Sequence, residues 1–448
     1  MTDYKIKEGY TIPITGEARK EIENLARPPF VGLCPVEFAG LKPKLAVKVD
    51  DEVKVGTPLF FDKKRPEVLF VSPAAGRVTA INYGPRRVIE EVIIATSDKD
   101  EFEDMGKMDA GSIAKTSRED MITRLTKGGL WPFIRQRPYN KIADTSAQPK
   151  AIFVNCMETA PLANDPGFSL KDQGDAFKAG VAAMKALCDT VHVSMAADGD
   201  NSAFSGADGV STHTFSGKHP AGLTGTHIGK ISPINKGECV WHIHARDAVM
   251  IGSSLLSGQF PTERTICVAG PGATKAQYYK GRLGMKIKDI VGGNVVEGEQ
   301  RYVSGNVLGG TAKTEDNFLG FYSDNLTILP EGREQHFLGW MHPVGLAPSY
   351  GRSYLAGFLS KMFPMNTNLN GGHRAIVQSG LWERAVALDL HPEFLVKASI
   401  AEDIDLMEQL GILECDPEDF ALCTYLCPSK TDVSRIIADA LELMEKEA

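Results

Sequence analysis

The chain reads Lys127-Gly128-Gly129-Leu130-Trp131-Pro132-Phe133-Ile134-Arg135-Gln136-Arg137-Pro138 directly after a predicted helix. That helix is expected to begin at a capping box of Thr116 and Glu119, and Gly128 is expected to end it in a left-handed conformation. Glycine loops of this kind let a backbone approach a phosphate closely. Here Trp131 and its proline and aromatic neighbours fill the space that small residues would leave open. The segment therefore has the position of a nucleotide-binding loop but lacks the small residues that such a loop requires.

Strands and helices are predicted to alternate on the carboxyl side of this loop. Ala151–Cys156 is an apolar strand run, and Val191–Val193 is a second one. The helix face between them is Phe177, Val181, Met184 and Cys188. A further strand and helix are predicted at 239–244 and 248–256. Strand, helix and strand in this order predict a parallel, Rossmann-like sheet with ligands near the carboxyl ends of its strands.

The first hundred residues contain short strands that glycine and proline interrupt. Valines alternate at 47, 49, 53 and 55, and Ser72–Val78 opens a second half of the same kind. This layout is similar to biotinyl and lipoyl carrier domains, in which a lysine at a hairpin tip is modified. Lys63 and Lys64 hold that position here. The run to Pro73 is longer than in a lipoyl hairpin and no Met-Lys-Met occurs, which favours a carrier-shaped but unmodified sandwich.

The pattern changes again from about Arg264. Thr265–Gly270 is typical of a strand and Val303–Gly310 is rich in glycine, a combination similar to a β-grasp module of the soluble-ligand-binding (SLBB) type. Residues past about 335 are predicted to be mostly helical. The last helix has a continuous apolar stripe of Val433, Ile436, Ile437, Ala440, Leu441 and Met444.

The predicted fold class is therefore multidomain α/β, with four domains. They are an N-terminal region with a biotinyl/lipoyl-like barrel-sandwich at 1–100, a Rossmann-like domain at 101–258, a β-grasp (SLBB-like) domain at 259–335 and a C-terminal helical domain at 336–448.

Composition and charge exclude several classes of protein. A net charge of −8 argues against binding to nucleic acid, which requires a clustered basic field. No run approaches the ~18–20 apolar residues that span a bilayer, and the polar N-terminus lacks the apolar core of a signal peptide. Eight scattered cysteines without the rhythm of a disulfide framework indicate reduced thiols in the cytoplasm. Membrane association would then depend on partner proteins or on a surface patch.

The C-terminal cysteines resemble part of an iron–sulfur motif. Cys423 and Cys427, followed by Pro428, fit the tail of the spacing C-x2-C-x2-C-x3-C-P that binds a four-iron cluster. The other two ligands would fall at Phe420 and Pro417, which cannot bind iron. Two thiolates do not hold a cubane cluster, so we expect a degenerate ferredoxin-like segment whose cysteines pack in a core.

Three unusual strings occur in one order along the chain, at Gly128–Pro138, His219–His227 and Leu422–Pro428. Together they resemble the NqrA family, the A subunits of the sodium-translocating NADH:quinone reductase (Nqr) of bacteria, over essentially the whole chain. That family is itself similar to the C subunit of Rnf electron-transfer complexes and to the NADH-binding flavoprotein of respiratory complex I. The resemblance raises the question of whether this chain keeps the cofactor sites of those relatives.

The resemblance implies that flavin and nucleotide sites have been lost. The loop of the relatives resembles Gly-Gly-Ala-Gly-Phe-Pro, whereas Leu130 and Trp131 stand here where alanine and glycine would be. A tryptophan side chain buries on the order of 200 Å² and would occupy the space left for a flavin or a pyrophosphate. Of an acidic string at a strand end, only Glu158 is kept. No cofactor-binding, catalytic or metal-binding residue is therefore assigned to this chain.

An uncharged quinone headgroup remains a candidate ligand of the loop. A quinone needs an apolar slot with ring faces and one or two donors for its carbonyl oxygens. Trp131 and Phe133 would supply the faces, and Arg135 and Arg137 would supply the donors. The alternative is that the aromatic rings are core and that the arginines meet acidic partners or lipid phosphates at a subunit interface.

Four histidines are further candidates for function. His242 and His244 alternate on a predicted strand, so they would face one side as a metal pair, and His219 and His227 bracket a glycine-rich loop. No Cys-x-x-Cys or His-Glu-x-x-His pattern supports zinc. We expect hydrogen-bonded histidines at a sheet edge or a subunit interface, without a defined role.

The resemblance implies a peripheral subunit on the cytoplasmic face of the inner membrane. It would belong to a complex that oxidises NADH, reduces ubiquinone and exports sodium. NADH, FAD, FMN and the iron–sulfur centre would be bound by partner subunits (B to F). This chain would dock chiefly on the B subunit in the membrane, as a scaffold that could also shape the access of ubiquinone.

Two other functions are weighed against this one. The first is a self-sufficient NADH-oxidising flavoprotein that resembles the Rnf C subunit. The second is a carrier protein modified on Lys63 or Lys64.

Overall fold

The computed structural model describes residues 2–334, 337–338, 341, 350 and 361–447. In chain order the strands are β1 (Thr2–Lys5), β2 (Arg19–Asn24), β3 (Phe30–Leu33), β4 (Pro43–Leu45), β5 (Glu52–Val53), β6 (Pro58–Asp62), β7 (Arg65–Val71), β8 (Gly76–Tyr83), β9 (Ile89–Thr96), β10 (Arg135–Arg137), β11 (Lys141–Ile142), β12 (Ile152–Asn155), β13 (Val191–Ala196), β14 (Ser211–Ser216), β15 (Val240–His244), β16 (Glu263–Ala269), β17 (Gln277–Arg282), β18 (Gln300–Ser304), β19 (Thr311–Lys313) and β20 (Asn325–Pro330).

The helices are, in the same order, α1 (Ala110–Lys115), α2 (Arg118–Lys127), α3 (Pro166–Ser169), α4 (Gly174–Leu187), α5 (Thr224–Ile231), α6 (Ala245–Ser257), α7 (Ile287–Val291), α8 (Pro392–Ile400), α9 (Ile404–Gln409), α10 (Ala421–Leu426) and α11 (Val433–Glu447). None of those in the described ranges combines the length and the hydropathy that a bilayer span requires.

A seven-stranded sheet forms the centre of the molecule. Its order is β1-β14-β13-β12-β15-β10-β11; the first five strands run parallel, and β10 and β11 pair antiparallel at one edge. The prediction of a parallel sheet is confirmed by the pairing of these five strands. Strand β12 is buried on both faces, as its apolar run indicated. The helices α4 and α6 pack closely: a Cβ at Gly180 would lie 2.0 Å from the carbonyl oxygen of Ala248.

The barrel-sandwich region consists of two small sheets, β3-β9-β8-β5 and β4-β6-β7. Short strands were predicted there, but Val47 and Val49 are not in a strand, and β5 contains only Glu52 and Val53. The acidic turn at Asp50, which has a positive φ of 75°, interrupts the pattern of alternating valines. Lys63 and Lys64 occupy the turn between β6 and β7, as a hairpin tip should.

The first residues of the chain pair outside that sandwich. Strand β1 adds in parallel to β14 of the central sheet, and β2 adds in parallel to β17. Strand β17 belongs to a six-stranded sheet of order β19-β18-β20-β16-β17-β2, which is the region predicted as β-grasp. Ile12 and Ile14 pack in yet another core, that of the C-terminal helices.

The stripe predicted for the last helix is confirmed. Val433, Ile437, Ala440, Leu441 and Met444 are buried in α11, and Ile436 packs partly buried against the same core. The expectation of a mostly helical region from about 335 is wrong for 361–391, which form turns and irregular segments. Glycines and asparagines in this stretch favour turns over helix. For 335–336, 339–340, 342–349 and 351–360 the expectation lies outside the described residues.

The helix before the glycine loop differs from the expectation at both ends. Ser117, not Thr116, is the N-cap of α2, and its hydroxyl accepts the backbone N–H of Asp120. Thr116 instead ends α1. Gly128 has φ −78°, and Gly129 takes the left-handed conformation with φ +66°. Gly129 is needed for space as well, since a Cβ there would lie 2.5 Å from the side chain of Val71 in the barrel-sandwich.

We expect Gly129→Ala to lower the unfolding midpoint of the chain more than Gly237→Ala does. Both glycines have positive φ, at 66° and 81°, so both substitutions carry a backbone cost of about 1–2 kcal/mol. Only Gly129 adds a clash with Val71, which costs about 1–3 kcal/mol further in a packed core. Thermal unfolding of the two variants measures the difference, and equal midpoints would contradict this packing contact.

Candidate functional site

The aromatic residues of the glycine loop lie in the protein core. Trp131 is fully buried, donates its indole N–H to the carbonyl oxygen of Ala143 at 2.8 Å, and meets the ring of Trp241 edge-on at 5.4 Å. Phe133 stacks on Phe321 with ring centroids 4.7 Å apart. Neither ring offers a face to solvent. The slot predicted between them is filled by the protein's own side chains.

Arg137 is likewise fully buried, and its partners are acidic residues of the same chain. Its guanidinium lies 2.9 Å from Asp419, 3.2 Å from Glu418 and 3.9 Å from Asp416. Burial raises the pKa of Glu418 and of Asp419, and Arg137 offsets only part of that effect. The arginine therefore meets acids, as the alternative interpretation expected, but within the chain rather than at a subunit interface.

Arg135 is the one of the four predicted quinone residues that lines a described cavity. Its guanidinium lies over the ring of Tyr322, 5.0 Å from the centroid, and one of its nitrogens is 3.5 Å from Nε2 of His244. Among the described residues it forms no ion pair within 4.0 Å. A half-buried cation without a carboxylate partner is available to a ligand.

The cavity next to Arg135 has a volume of about 580 Å³. It lies at the carboxyl ends of β12 and β15, which are marked by Asn155 and His244. These strands are neighbours, yet the chain passes from β12 to β13 on one side and later enters β15 on the other. Such a reversal of strand order opens the crevice in which parallel α/β sheets bind ligands. The glycine-rich segment 305–310 of the β-grasp region closes the opposite wall.

Two side chains link this cavity to the loop. The hydroxyl of Tyr322 donates to the carbonyl oxygen of Pro132 at 2.8 Å. Glu418, which Arg137 holds, also lines the cavity and keeps 32% of its side chain exposed. The loop therefore influences the cavity indirectly, because it contacts Tyr322 and Glu418, which line the cavity, whereas the rings of Trp131 and Phe133 do not line it.

Glu158 is the acid that the sequence retained at the end of β12. Its Oε1 accepts the backbone N–H groups of Thr159 and Ala160, both at 2.8 Å. Burial raises the pKa of this carboxyl, although those two hydrogen bonds oppose the shift. One carboxylate oxygen thus orders the turn beside the cavity.

A second cavity of about 390 Å³ adjoins the first. Arg246, Asp324 and Asn164 line both of them. Arg246 pairs with Asp324 at 3.1 Å, and the side-chain amide of Asn164 donates to Asp324 at 2.7 Å. This polar group forms the wall between the two cavities.

Three of the four predicted histidines are hydrogen-bonded in the interior, whereas His244 is half-buried and lines the first cavity. His242 contacts Asn140 at 3.0 Å, His219 contacts Thr159 at 3.3 Å and His227 contacts the carbonyl oxygen of Ala221 at 3.0 Å. Burial lowers the pKa of His219 to about 4 and that of His227 to about 3, so both are neutral near pH 7. Within the described ranges, no group of three or more His, Cys, Asp or Glu residues is placed to hold a metal ion.

The cysteines of the ferredoxin-like string occupy the C-terminal core. Cys415, Cys423 and Cys427 are buried among its apolar residues. The sulfur of Cys423 lies 3.9 Å from the carbonyl oxygen of Trp382, and that of Cys427 accepts the backbone N–H of Thr431 at 3.4 Å. Burial raises the pKa of the Cys415 and Cys423 thiols well above the usual range, which favours the protonated form.

Several residues of the site were missed by the sequence analysis. Arg246 follows directly after β15, so the rule that ligands gather at the carboxyl ends of parallel strands was sufficient to find it. Tyr322, Arg264 and Glu418 come from distant parts of the chain. No local pattern marks them, because only the packing of the chain brings Tyr322 and Glu418 to the first cavity and Arg264 to the second.

Three family models match the chain. They are the NqrA N-terminal barrel-sandwich hybrid domain at residues 4–97, the NqrA second alpha/beta domain at 116–260 and the NQRA C-terminal domain at 265–315. The A subunit of the Na(+)-translocating NADH-quinone reductase of Neisseria meningitidis serogroup C is 38% identical over 446 residues, which cover 99% of both chains. The chain belongs to this family.

Other members with the same name are similar to the same extent. The protein of Actinobacillus pleuropneumoniae is 37% identical over 446 residues, and that of Histophilus somni is 36% identical over 444. Both alignments cover 99% of each chain. The barrel-sandwich, α/β and SLBB-like regions of this chain are thus those of the NqrA family.

Replacement of Arg137 by methionine should destabilise the chain strongly at neutral pH. It would leave the buried carboxyl groups of Asp416 and Asp419 and the half-buried one of Glu418 without their cation, a loss of about 3–5 kcal/mol for a broken buried ion pair. Acidification should reduce the loss, because the raised pKa values of Glu418 and Asp419 let these groups take up protons well above the ordinary range near pH 4.

Thermal unfolding of Arg137→Met at pH 7.5 and pH 5.5 measures this effect. Arg435→Met, which removes an exposed helical ion pair to Asp439, is the control and should change little at either pH. A deficit of Arg137→Met that does not shrink between the two pH values would contradict the proposed protonation.

Proposed function

We propose that this chain is a peripheral subunit of the Na+-translocating NADH:ubiquinone reductase, on the cytoplasmic face of the inner membrane. The match to the A subunit across 99% of both chains carries the proposal. In that complex NADH is oxidised, ubiquinone is reduced and sodium is exported. The flavins FAD and FMN and the iron–sulfur centre belong to partner subunits, and this chain docks chiefly on the B subunit in the membrane.

The role proposed for the chain is that of a scaffold without a flavin or cluster of its own. Two observations support this role. Trp131 and Phe133 fill the core behind the glycine loop, so their rings take the space that a flavin would require. The sulfur atoms of Cys423 and Cys427 contact backbone atoms of the same chain, and burial favours the protonated form of the Cys423 thiol.

We propose the domain boundaries 1–100, 101–258, 259–335 and 336–448. The parallel order of β14, β13, β12 and β15, with α4 and α6 packed together, supports the label Rossmann-like for the second domain. The core shared by α8, α9, α10 and α11 supports the label helical for the fourth. The first boundary is less clear in the structure than in the sequence, because β1 and β2 belong to 1–100 but pair with strands of the second and third domains.

Ubiquinone access is the second part of the proposed role. Of the four residues predicted for it, Arg135 would donate to a quinone carbonyl oxygen in the 580 Å³ cavity, and Tyr322 would supply a ring edge. Trp131, Phe133 and Arg137 would not touch the quinone but would support the residues that line the cavity. Phe133 stacks on Phe321, next to Tyr322 in the chain, and Arg137 fixes Glu418 at the cavity wall.

A self-sufficient NADH-oxidising flavoprotein is the second candidate function. The position of the cavity at the carboxyl ends of β12 and β15 favours it, because nucleotides bind there in folds of this type. Tightly held flavin in the freshly purified chain would support this function, and intact mass would reveal a lipoyl or biotinyl group on Lys63 or Lys64.

We expect the purified chain to be colourless, to have unmodified mass and to co-purify with the integral membrane subunits when these are co-expressed. Affinity purification, absorbance between 350 and 500 nm (about the flavin range) and intact-mass spectrometry check the three points. Visible flavin absorbance, or failure to recover the membrane subunits, would contradict the scaffold role.

We expect Arg135→Gln to weaken ubiquinone use by the assembled complex, because the substitution removes the charge at the cavity. A lost contact that is made equally in ground state and transition state raises KM and leaves kcat unchanged. One charged hydrogen bond is worth about 1.5–3 kcal/mol, or roughly a 10- to 150-fold change. Steady-state quinone reduction by purified complexes measures both constants.

Arg435→Gln is the matched control, since Arg435 is exposed on α11 and does not line the cavity. The NADH oxidation rate with an artificial acceptor should stay unchanged in both variants. If the two variants show the same KM for ubiquinone, or if removal of the whole chain leaves quinone reduction untouched, quinone access through this cavity is wrong.

A further inference from the structure

The barrel-sandwich presents a patch of four exposed lysines, called here the lysine patch: Lys42, Lys44, Lys63 and Lys64. Strands β4 and β6 pair antiparallel, with Lys44 opposite Phe61. One step further along, the backbone N–H of Lys63 donates to the carbonyl oxygen of Lys42 at 2.8 Å. Alternate residues of a strand lie on the same face, so Lys42 and Lys44 share one face of the sheet. Lys63 lies opposite Lys42, and Lys64 is next to it in the turn.

Among the described residues, no carboxylate forms an ion pair with any lysine of the patch. Asp62, which precedes Lys63 in the chain, is buried and is paired with Arg65. Glu67, which is exposed on β7, accepts the hydroxyl of Thr145 at 3.0 Å. Like charges that lie opposite each other on two paired strands destabilise a sheet. The lysine patch is therefore an unfavourable arrangement for the folded chain alone, and a negatively charged partner would relieve it.

Protection of a sheet edge explains only part of the patch. Strand β4 is an edge strand of the sheet β4-β6-β7, and lysines on an edge strand hinder its pairing with another chain. This accounts for Lys42 and Lys44, which lie beside β4 and on it. It does not account for Lys63 and Lys64, which lie in the turn between β6 and β7.

The residue type indicates what kind of negative partner the patch fits. The ammonium group of lysine is a compact point charge on a flexible stem, whereas the planar guanidinium of arginine suits one fixed, bidentate partner. The arginine next to the patch, Arg65, faces inwards: it pairs with Asp62 and donates to the carbonyl oxygens of Ile142 and Ala143. Four flexible cations at a hairpin therefore fit the mobile phosphate groups of lipids, which attract clusters of basic residues.

The charge of the rest of the chain would orient such a contact. With a net charge of −8, the molecule as a whole is repelled by an anionic surface. Salt screens this repulsion beyond about 8 Å at physiological ionic strength, so acidic residues of other domains contribute little when only the hairpin touches the headgroups. The attraction is thus confined to the lysine patch.

We propose that the lysine patch binds the anionic lipid headgroups of the membrane surface. The inference rests on the peripheral membrane location proposed above, and it adds a direct lipid contact to the docking on the B subunit. It also gives the hairpin tip of Lys63 and Lys64 a role that requires no covalent modification.

The test is co-sedimentation of the full chain with lipid vesicles at low ionic strength. Vesicles of phosphatidylglycerol and phosphatidylcholine in equal parts provide anionic headgroups, and vesicles of phosphatidylcholine alone are the neutral comparison. We expect the chain to bind the anionic vesicles only, and to be released as salt is raised. The double variant Lys42→Gln, Lys63→Gln should lower the vesicle partition coefficient roughly 20- to 30-fold, because each lysine near an anionic surface contributes about fivefold.

The matched control is the double variant Lys178→Gln, Lys397→Gln, which changes the net charge by the same amount. Both of these lysines are exposed, on α4 and α8, and lie outside the patch, so vesicle binding should not change. Lys63→Glu separates lipid binding from folding. A carboxylate opposite Lys42 would replace a like-charge pair by an ion pair, so the unfolding midpoint should not fall, whereas vesicle binding should fall further than in Lys63→Gln.

Equal binding to anionic and neutral vesicles would overturn the proposal, and so would equal losses in the patch variant and its control. Co-purification with the membrane subunits, measured on the same proteins, separates this outcome from a failure of the proposed function. A wild-type chain that recovers those subunits but does not bind anionic vesicles would refute the lipid contact and leave the role in the complex intact. A patch variant that binds vesicles like the wild type but loses the membrane subunits would show that the lysines meet an acidic protein surface, which also contradicts the proposal.

Discussion

The structure depends on one buried cation. Arg137 lies at the edge of the central sheet, with no exposed surface, and binds acidic residues of the C-terminal segment. One of these, Asp419, also lies against the amino end of α5, where a Cβ at Gly225 would be 2.3 Å from its carboxylate. Arg137 thus joins the helical region to the sheet, together with the ion pair between Lys141 and Glu445. Breaking a buried ion pair costs more than the intact pair contributes, so the loss expected for Arg137→Met exceeds what this contact adds to the stability of the folded chain.

The position of that cation has consequences for the crevice. Arg135 lies two residues before Arg137, and in a strand these residues point to the same side. The strand that is anchored by Arg137 therefore also holds Arg135 beside Tyr322. Behind both arginines, Trp131 and Phe133 are closely packed against other aromatic rings, so a change in the volume of either side chain would disturb its neighbours.

Much of the fold follows from local sequence patterns. The apolar run before Asn155, the face of α4 and the stripe of α11 are recognisable because a buried strand and an amphipathic helix leave characteristic spacings. The failures have physical reasons as well. Ser117 rather than Thr116 caps α2 because two candidate hydroxyls are adjacent and only packing decides between them. The valines about Asp50 alternate like a strand, but a positive φ interrupts them.

The site was less predictable than the fold. From sequence alone Arg135 was a candidate ligand residue, and it lines a cavity, but a ring that faces a ligand could not be distinguished from a ring that faces the core. Trp131 and Phe133 are residue types that occur in both positions, and the structure places both in the core. The acids that meet Arg137 come from residues almost three hundred positions later, and Tyr322 and Arg264 come from another domain. Contacts at such separations leave no periodic trace in one sequence.

The pairing of the first strands has a consequence for biosynthesis. Strand β1 is synthesised more than two hundred residues before its neighbour β14. Strand β2 waits still longer for β17. Translation at roughly 5–20 residues per second leaves these edges unpaired for tens of seconds. The central sheet and the sheet of β17 therefore gain these edge strands only late in translation, whereas the strands of the barrel-sandwich, β3 to β9, are all made by residue 96.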